Sequence, residues 1–279
     1  MQHRVVHSTG FVYDGRVVSS YNQARMTPVT SLSQSLLYHR IEVTPTPWVY
    51  TYTDYWGTQV TAFEVHEPHE ALTVTSTSTV EVQRPPPEPD NLPWPALQEP
   101  SVTDGLSEWL QVTERVEPGA ELRAWVGERA ATVPGPTELA RQVAGLIHDE
   151  VRYVSGSTVV SSHAEEAWNL RSGVCQDMVH LAIGCLRAGG VPARYVSGYL
   201  HPSSDPVIGE AAAGESHAWV EWWDGAWVGF DPTNALEPGD RHMVVARGRD
   251  YGDVAPVTGI FSGGSASSMF VSVLVTRLR

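Results

Sequence analysis

Lysine is absent from the 279 residues: all 18 basic side chains are arginine, set against 32 carboxylates for a formal charge of -14. An acidic chain repels polyanions, which argues against a nucleic acid or an anionic membrane as the main partner. Cysteine is nearly absent too. Cys175 and Cys185 stand ten positions apart on what reads as one helix, too far along it to bridge, so there is no disulfide framework and a reducing compartment suits the chain. The opening MQHRVVHSTG lacks a charged stretch followed by an apolar run, and no segment is long and apolar enough to cross a bilayer. These absences point to a cytoplasmic location. Internal repeats and phosphate-binding glycine loops are also missing. What remains is 42% hydrophobic and rich in aromatics, the composition of a chain that buries a real core.

Residues 1–85 read as an antiparallel β domain. YHRIEVTP, TYTDYWGTQVTAFEVHEP and ALTVTSTSTVEVQ alternate β-branched or aromatic with polar residues and are broken by Pro and Gly. Proline crowds residues 86–100, which predicts a stiff connector that continues neither a helix nor a central strand. Residues 101–279 form the second unit. Helical spacing marks Ser107 to Leu110, Glu121 to Ala131 and Thr137 to Val151. Ser162 and Glu165 form a capping-box pattern that starts a short helix delivering the chain to Cys175. The helix from Cys175 carries a stripe of Val179, Ala182, Ile183 and Leu186 and stops at Gly189 and Gly190. ARYVSGYL, HAWVEWW, AWVGFDP and the tail SMFVSVLVTRL follow as strands. The fold class is therefore α+β.

Cys175 lies where a glycine-bearing loop turns into that apolar helix. A helix start and a neighbouring imidazolium both favour a thiolate, and the unpaired N–H of Cys175 can donate to an oxyanion. His217 heads one downstream strand and Asp231 closes the next. Cysteine, histidine and aspartate in that order supply a nucleophile, a base and a carboxylate that orients the base. The hairpin between them sets a condition. A two-residue turn at Asp224-Gly225 sends His217 and Asp231 to opposite faces of the sheet. A three-residue loop, Trp223-Asp224-Gly225, pairs Trp222 with Ala226 and makes His217 and Asp231 direct cross-strand neighbours.

GVCQDMVHLAIGCLRAGGVPARYVSGYL, ESHAWVEWW and WVGFDPTN resemble, in order, the nucleophile, histidine and aspartate motifs of the transglutaminase-like superfamily, in its bacterial branch with an N-terminal β domain. RGRDYGDVAPVTGIFSGG and DYWGTQVTAFEVHEPHEALTV extend the similarity over most of the chain. The resemblance implies a papain-like, transglutaminase-like core whose nucleophile helix packs on an antiparallel sheet. It also implies amide acyl transfer, with Cys175 as nucleophile, His217 as general base and Asp231 as the orienting carboxylate. The partner expected is a peptide or protein amide, with no cofactor. Three functions fit: a cysteine protease or amidase, a protein-glutamine transamidase, and a peptide-binding scaffold that does no chemistry. Lacking lysine, the chain offers no side-chain amine of its own to a transamidase.

Bland readings compete at each position. Cys185 reads as an inert packing residue in mid-helix. Gln176 and Tyr153 are candidates for a second oxyanion donor. Trp219, with Trp168, Trp222, Trp223 and Trp227, either lines an acyl cleft or packs the sheet. Asp177 is placed to hold the loop before the helix, and Arg249 with Asp250 to anchor the crossing of the C-terminal segment. His180 and His163 do not make a zinc site with Cys175, because five residues along a helix put Cys175 and His180 out of phase. His3, His7, His66 and His69 show no ligand spacing.

Overall fold

The computed structural model describes residues 1–85, 91–214 and 216–279 and, of Ser267, the backbone. Alternation over most of Gln2–Val17, Gln34–Thr44 and His69–Val82 makes them strands of one antiparallel sheet, with register shifts at Val12/Tyr13 and Leu36/Tyr38. A four-stranded sheet of Trp48–Thr53, Gln59–Val65, Ser19–Ala24 and Val257–Ser262 stacks on it. Tyr13, Val17, Met26, Phe63, Leu72 and Val74 fill the space between the two. The first sheet is completed from the other end of the chain. Ser265–Arg277 pairs with residues His3 to Asp14 of Gln2–Val17, and Ala211–Gly214 pairs with Ser265–Arg277 in turn. The tail thus returns as a strand, beside N-terminal strands rather than the core strands next to it in sequence. Alternation identifies a strand but not its partner.

The connector read over 86–100 begins on residues 86–90, which lie outside the described residues. Its remainder is partly helical, over Trp94–Leu97, and Pro100 opens the helix Pro100–Leu106. The proline argument fails here because a first helical turn has no N–H to lose. Asp224 ties this segment down. Its buried carboxylate accepts from the N–H groups of Asn91 (2.9 Å) and Leu92 (2.7 Å) and from the Thr137 hydroxyl (2.8 Å).

Cys175–Ala188 is the central helix of the second unit, and every residue from Gln176 to Arg187 is buried. The expected apolar stripe is only part of its contact surface. It packs on an antiparallel sheet of Trp227–Phe230, Ser216–Trp223, Ala193–Leu200 and His242–Gly248 and is flanked by Gly119–Ala130, Pro136–Glu150 and Ala164–Leu170. The Ala164–Leu170 helix has His163 at its N-cap, and the Ser162 hydroxyl accepts from the Val159 N–H instead of capping it. Gly184 lets the single-turn helix Glu114–Val116 lie directly on the central one, since a Cβ there would sit 1.7 Å from the Val116 carbonyl oxygen. We predict that Gly184→Ala lowers unfolding free energy by about 3 kcal/mol, as overpacking against rigid backbone does. Denaturant titration measures it, and an unchanged midpoint contradicts this packing.

Candidate active site

Cys175 is the first residue of the central helix and is partly exposed, whereas Cys185 lies buried among apolar side chains, where burial pushes its thiol up to about 12. The turn before the helix is held by Asp177. Its Oδ2 accepts from the Val174 N–H (2.8 Å) and the Thr158 hydroxyl (2.6 Å), so one carboxylate fixes both the helix start and the 154–160 loop. Burial, opposed by these bonds, raises the Asp177 carboxyl above its ordinary value. The Gln176 amide is committed to the same loop, donating to the Val160 carbonyl at 3.3 Å.

His217 Nε2 donates to Asp231 Oδ2 at 2.6 Å, and the Cys175 thiol is the imidazole's other hydrogen-bonding neighbour. With Nε2 engaged by the carboxylate, Nδ1 is left for sulfur. The hairpin reaches this arrangement by a register other than the expected one. Trp222 pairs with Val228 and Trp223 with Trp227, so the loop is Asp224-Gly225-Ala226, with Gly225 at φ 84°. His217 and Asp231 are therefore diagonal rather than direct neighbours. The ladder has slid by two residues, which preserves the face on which each side chain lies. Asp231 sits just past the strand, at the start of a turn closed by mutual backbone bonds with Leu236.

Five donors converge on the fully buried Asp231 carboxylate. Oδ1 accepts from the N–H groups of Thr233 (3.0 Å) and Asn234 (3.2 Å). Oδ2 accepts from His217, from Asn234 Nδ2 (2.7 Å) and, more weakly, from His242 Nε2 (3.4 Å). His242 Nδ1 accepts the Gly239 N–H, which leaves the proton on Nε2. Burial alone would raise the Asp231 carboxyl, but these donors outweigh it and hold Asp231 well below the usual carboxylate range. Burial likewise opposes the charge on His217, yet the bonds to Asp231 and Cys175 and the charges of both raise its imidazole to about 10. His242 moves the opposite way. Its burial dominates the help from Asp231, and the charges of His217 and Arg84 add to the lowering, so it stays neutral.

Sequence reasoning missed His242 and Asn234. Asn234 carried a usable signal, because an Asp-Pro-Thr-Asn turn brings its side chain back to the aspartate. His242 carried none, since its strand reaches Asp231 only through tertiary packing. Among the described residues, His217, Asp231 and His242 also form a group whose potential metal-ligand atoms lie within 4.8 Å of one another. The 2.6 Å contact between two of them is a direct hydrogen bond. Ligands bound tetrahedrally to zinc at about 2.0–2.2 Å stand more than about 3 Å apart. The group fits a hydrogen-bonded network better than an ion site.

A cleft of about 520 Å³ opens onto Cys175 and His217. Tyr153 and Gln176 line it, with Tyr195 and Ser197 behind. The five tryptophans lie elsewhere. Trp219 is buried behind His217, its ring 6.4 Å from the imidazole and 5.3 Å from that of His242. Trp168 lies under the Arg171 guanidinium at 3.5 Å, Trp222 donates to Thr137, and Trp223 meets Trp227 edge-on. His180 is a core residue, its Nε2 accepting the Tyr251 N–H, and burial lowers its imidazole to about 3. Arg249 pairs with Asp253, while Asp250 caps the turn at Tyr251 and accepts from Thr113. The far wall of the cleft is unexpected: it is the N-terminal sheet, through the cross-strand pairs His7/Val273, Thr9/Val271 and Phe11/Met269.

Residues 3–81 match the family described as the bacterial transglutaminase-like N-terminal region, and residues 123–232 match the transglutaminase-like superfamily. An uncharacterized protein of Mycobacterium leprae is 43% identical over 99% of this chain and 98% of its own length. Another, from Mycobacterium tuberculosis, is 38% identical over 96% of this chain and 90% of its own. The crystal structure of a candidate cysteine protease from Cytophaga hutchinsonii shares the fold, with a TM-score of 0.75 at 22% identity over 98% of this chain and 90% of that one. With both regions matched and relatives aligned end to end, the chain belongs to the bacterial transglutaminase-like family, an N-terminal β region joined to a transglutaminase-like core.

Proposed function

We propose that the chain is a thiol-dependent amide hydrolase of the protease or amidase type, working through Cys175, His217 and Asp231. The observation that carries this reading is the 2.6 Å bond from His217 to a fully buried carboxylate, on an imidazole whose other neighbour is a thiol at the mouth of a cleft. With the Cys175 proton held on His217, Sγ attacks the amide carbonyl carbon, and the helix-start N–H of Cys175 stabilises the oxyanion. The C–N bond breaks as His217 gives its proton to the leaving amine. Water then attacks the thioester carbonyl, His217 takes a proton from it, and the S–C bond breaks to release the acid. Partial exposure of Cys175 lets water reach the thioester, which favours hydrolysis over transfer to an amine.

The charge state of His217 follows from its surroundings. Its folded value, raised from 6.5 to about 10, means that the proton-linked stability it supplies is complete below about pH 6.5 and is lost as pH climbs towards 10. Asp231, depressed, supplies stability above the ordinary carboxylate range and loses it in acid. In the wild-type protein the His217 ring resonances should therefore not move between pH 6 and 8. In Asp231→Asn, with the carboxylate gone, they should titrate within that range. Histidine-selective NMR reads both, and a wild-type midpoint near neutrality contradicts the network.

Activity gives the second test. Cys175→Ala should abolish turnover, and Asp231→Asn should reduce kcat by about 10³–10⁴-fold, since an amide no longer holds the imidazole in its working tautomer. A glutamine peptide offered with a labelled primary amine should give free acid. Incorporation of the label instead would make the chain a transamidase, and tight binding without turnover a scaffold.

A further inference from the structure

The strand Ser265–Arg277 is paired on one side along its whole length, to Gln2–Val17. On its other side, among the described residues, it is paired over Val273–Thr276 by Ala211–Gly214 and at Arg277 by a bridge to Ile208. Among the described residues, Ser268 to Ser272 therefore present an open β edge. This edge is apolar, with Met269 60% and Phe270 and Val271 each 50% exposed. An uncovered apolar edge is a template for another strand, and proteins ordinarily blunt it with charge or proline. Neither occurs between Ser268 and Ser272.

The edge lies in the wall of the cleft. Met269 and Val271 face into it beside Thr9 and Phe11, whereas Phe270 points to the opposite face, its ring over Gly10 in space that a Cβ would occupy. The strand that fills the neighbouring stretch of edge ends at Gly214, opposite Val273, and His217 follows three residues later. Gly214, Ser216 and His217 all line the same cleft. A chain that prolonged the line of Ala211–Gly214 along Ser268–Ser272 would thus run up to the Cys175–His217 pair.

We propose that the substrate is an extended peptide segment that adds as a strand to the Ser268–Ser272 edge and is carried by that pairing to Cys175. The proposal rests on the hydrolase reading above and names the substrate class for it. Recognition divides in two. Backbone bonds from alternate residues supply affinity independent of side chains, and the row Met269, Val271 selects uncharged, apolar or small side chains at every second position. Among the described residues, no carboxylate, lysine or arginine lines the cleft.

Tetrapeptidyl chloromethyl ketones of sequence acetyl-Val-Thr-Val-Gly, with single N-methyl groups placed at each backbone amide in turn, test this on the full chain. Covalent labelling of Cys175 should slow about tenfold when the methylated N–H is one that faces the edge and change little at the adjacent amide, because strand hydrogen bonding alternates. In the conjugate, amide hydrogens within Ser268–Ser272 should gain protection from exchange. Equal labelling by all the analogues, or unchanged exchange at the edge, overturns the proposal. The triad is read separately with chloroacetamide, which has no peptide backbone. If His217→Ala leaves that reaction unchanged the hydrolase reading fails, whereas a slowed reaction with no N-methyl pattern removes only the edge.

Discussion

The structure turns on the burial of one carboxylate. Asp231 is removed from water and compensated by two imidazoles, an amide side chain and two backbone N–H groups. A buried charge with fewer donors would cost several kcal/mol or take up a proton. Here the ring of donors keeps it ionised, and its charge fixes the orientation and protonation of His217. His242 takes part without competing, because its burial keeps it neutral while its Nε2–H points at the carboxylate. Supporting packing follows the same logic. Trp219 lies edge-on to the His242 ring and tilted beside that of His217, packing against both imidazoles.

Two other buried charges, Arg187 and Glu221, are satisfied in comparable ways. Arg187, near the end of the central helix, donates to the carbonyl oxygens of Gln111, Ala193 and Arg249, joining three segments distant in sequence. Burial lowers its guanidinium to about 9, which leaves it charged at neutral pH. Glu221 binds Arg194 and Arg247 on the sheet face that carries His217 and is held at about 2 by them against its own burial. Glu221 thus ties three strands of the sheet together, and Arg187 ties the central helix to that sheet.

Much of the site was legible because its parts are local. Cys175 is marked by the loop-to-helix change, and His217 and Asp231 by strand ends. The hairpin shows how far such reasoning reaches. Side-chain alternation required the two residues to share a face, and they do, yet the loop that achieves it is Asp224-Gly225-Ala226. Asp224 decides this by taking its carboxylate inward to the Asn91, Leu92 and Thr137 donors. Nothing within the hairpin announces those partners. The same holds for His242 and for the far wall of the cleft, which depend on which strands meet across long separations. The β and helical segments themselves follow from periodicity, and the α+β class with them.

The pairing of Ser265–Arg277 with Gln2–Val17 also bears on the order in which the protein is made. The helix that begins at Cys175 and the sheet carrying His217 are complete in the nascent chain before residue 265 is added. The wall opposite them forms only when Ser265–Arg277 has found a partner synthesised some 260 residues earlier. Until that pairing is made Cys175 and His217 lie on an open face, so the cleft is the last part of this structure to be enclosed.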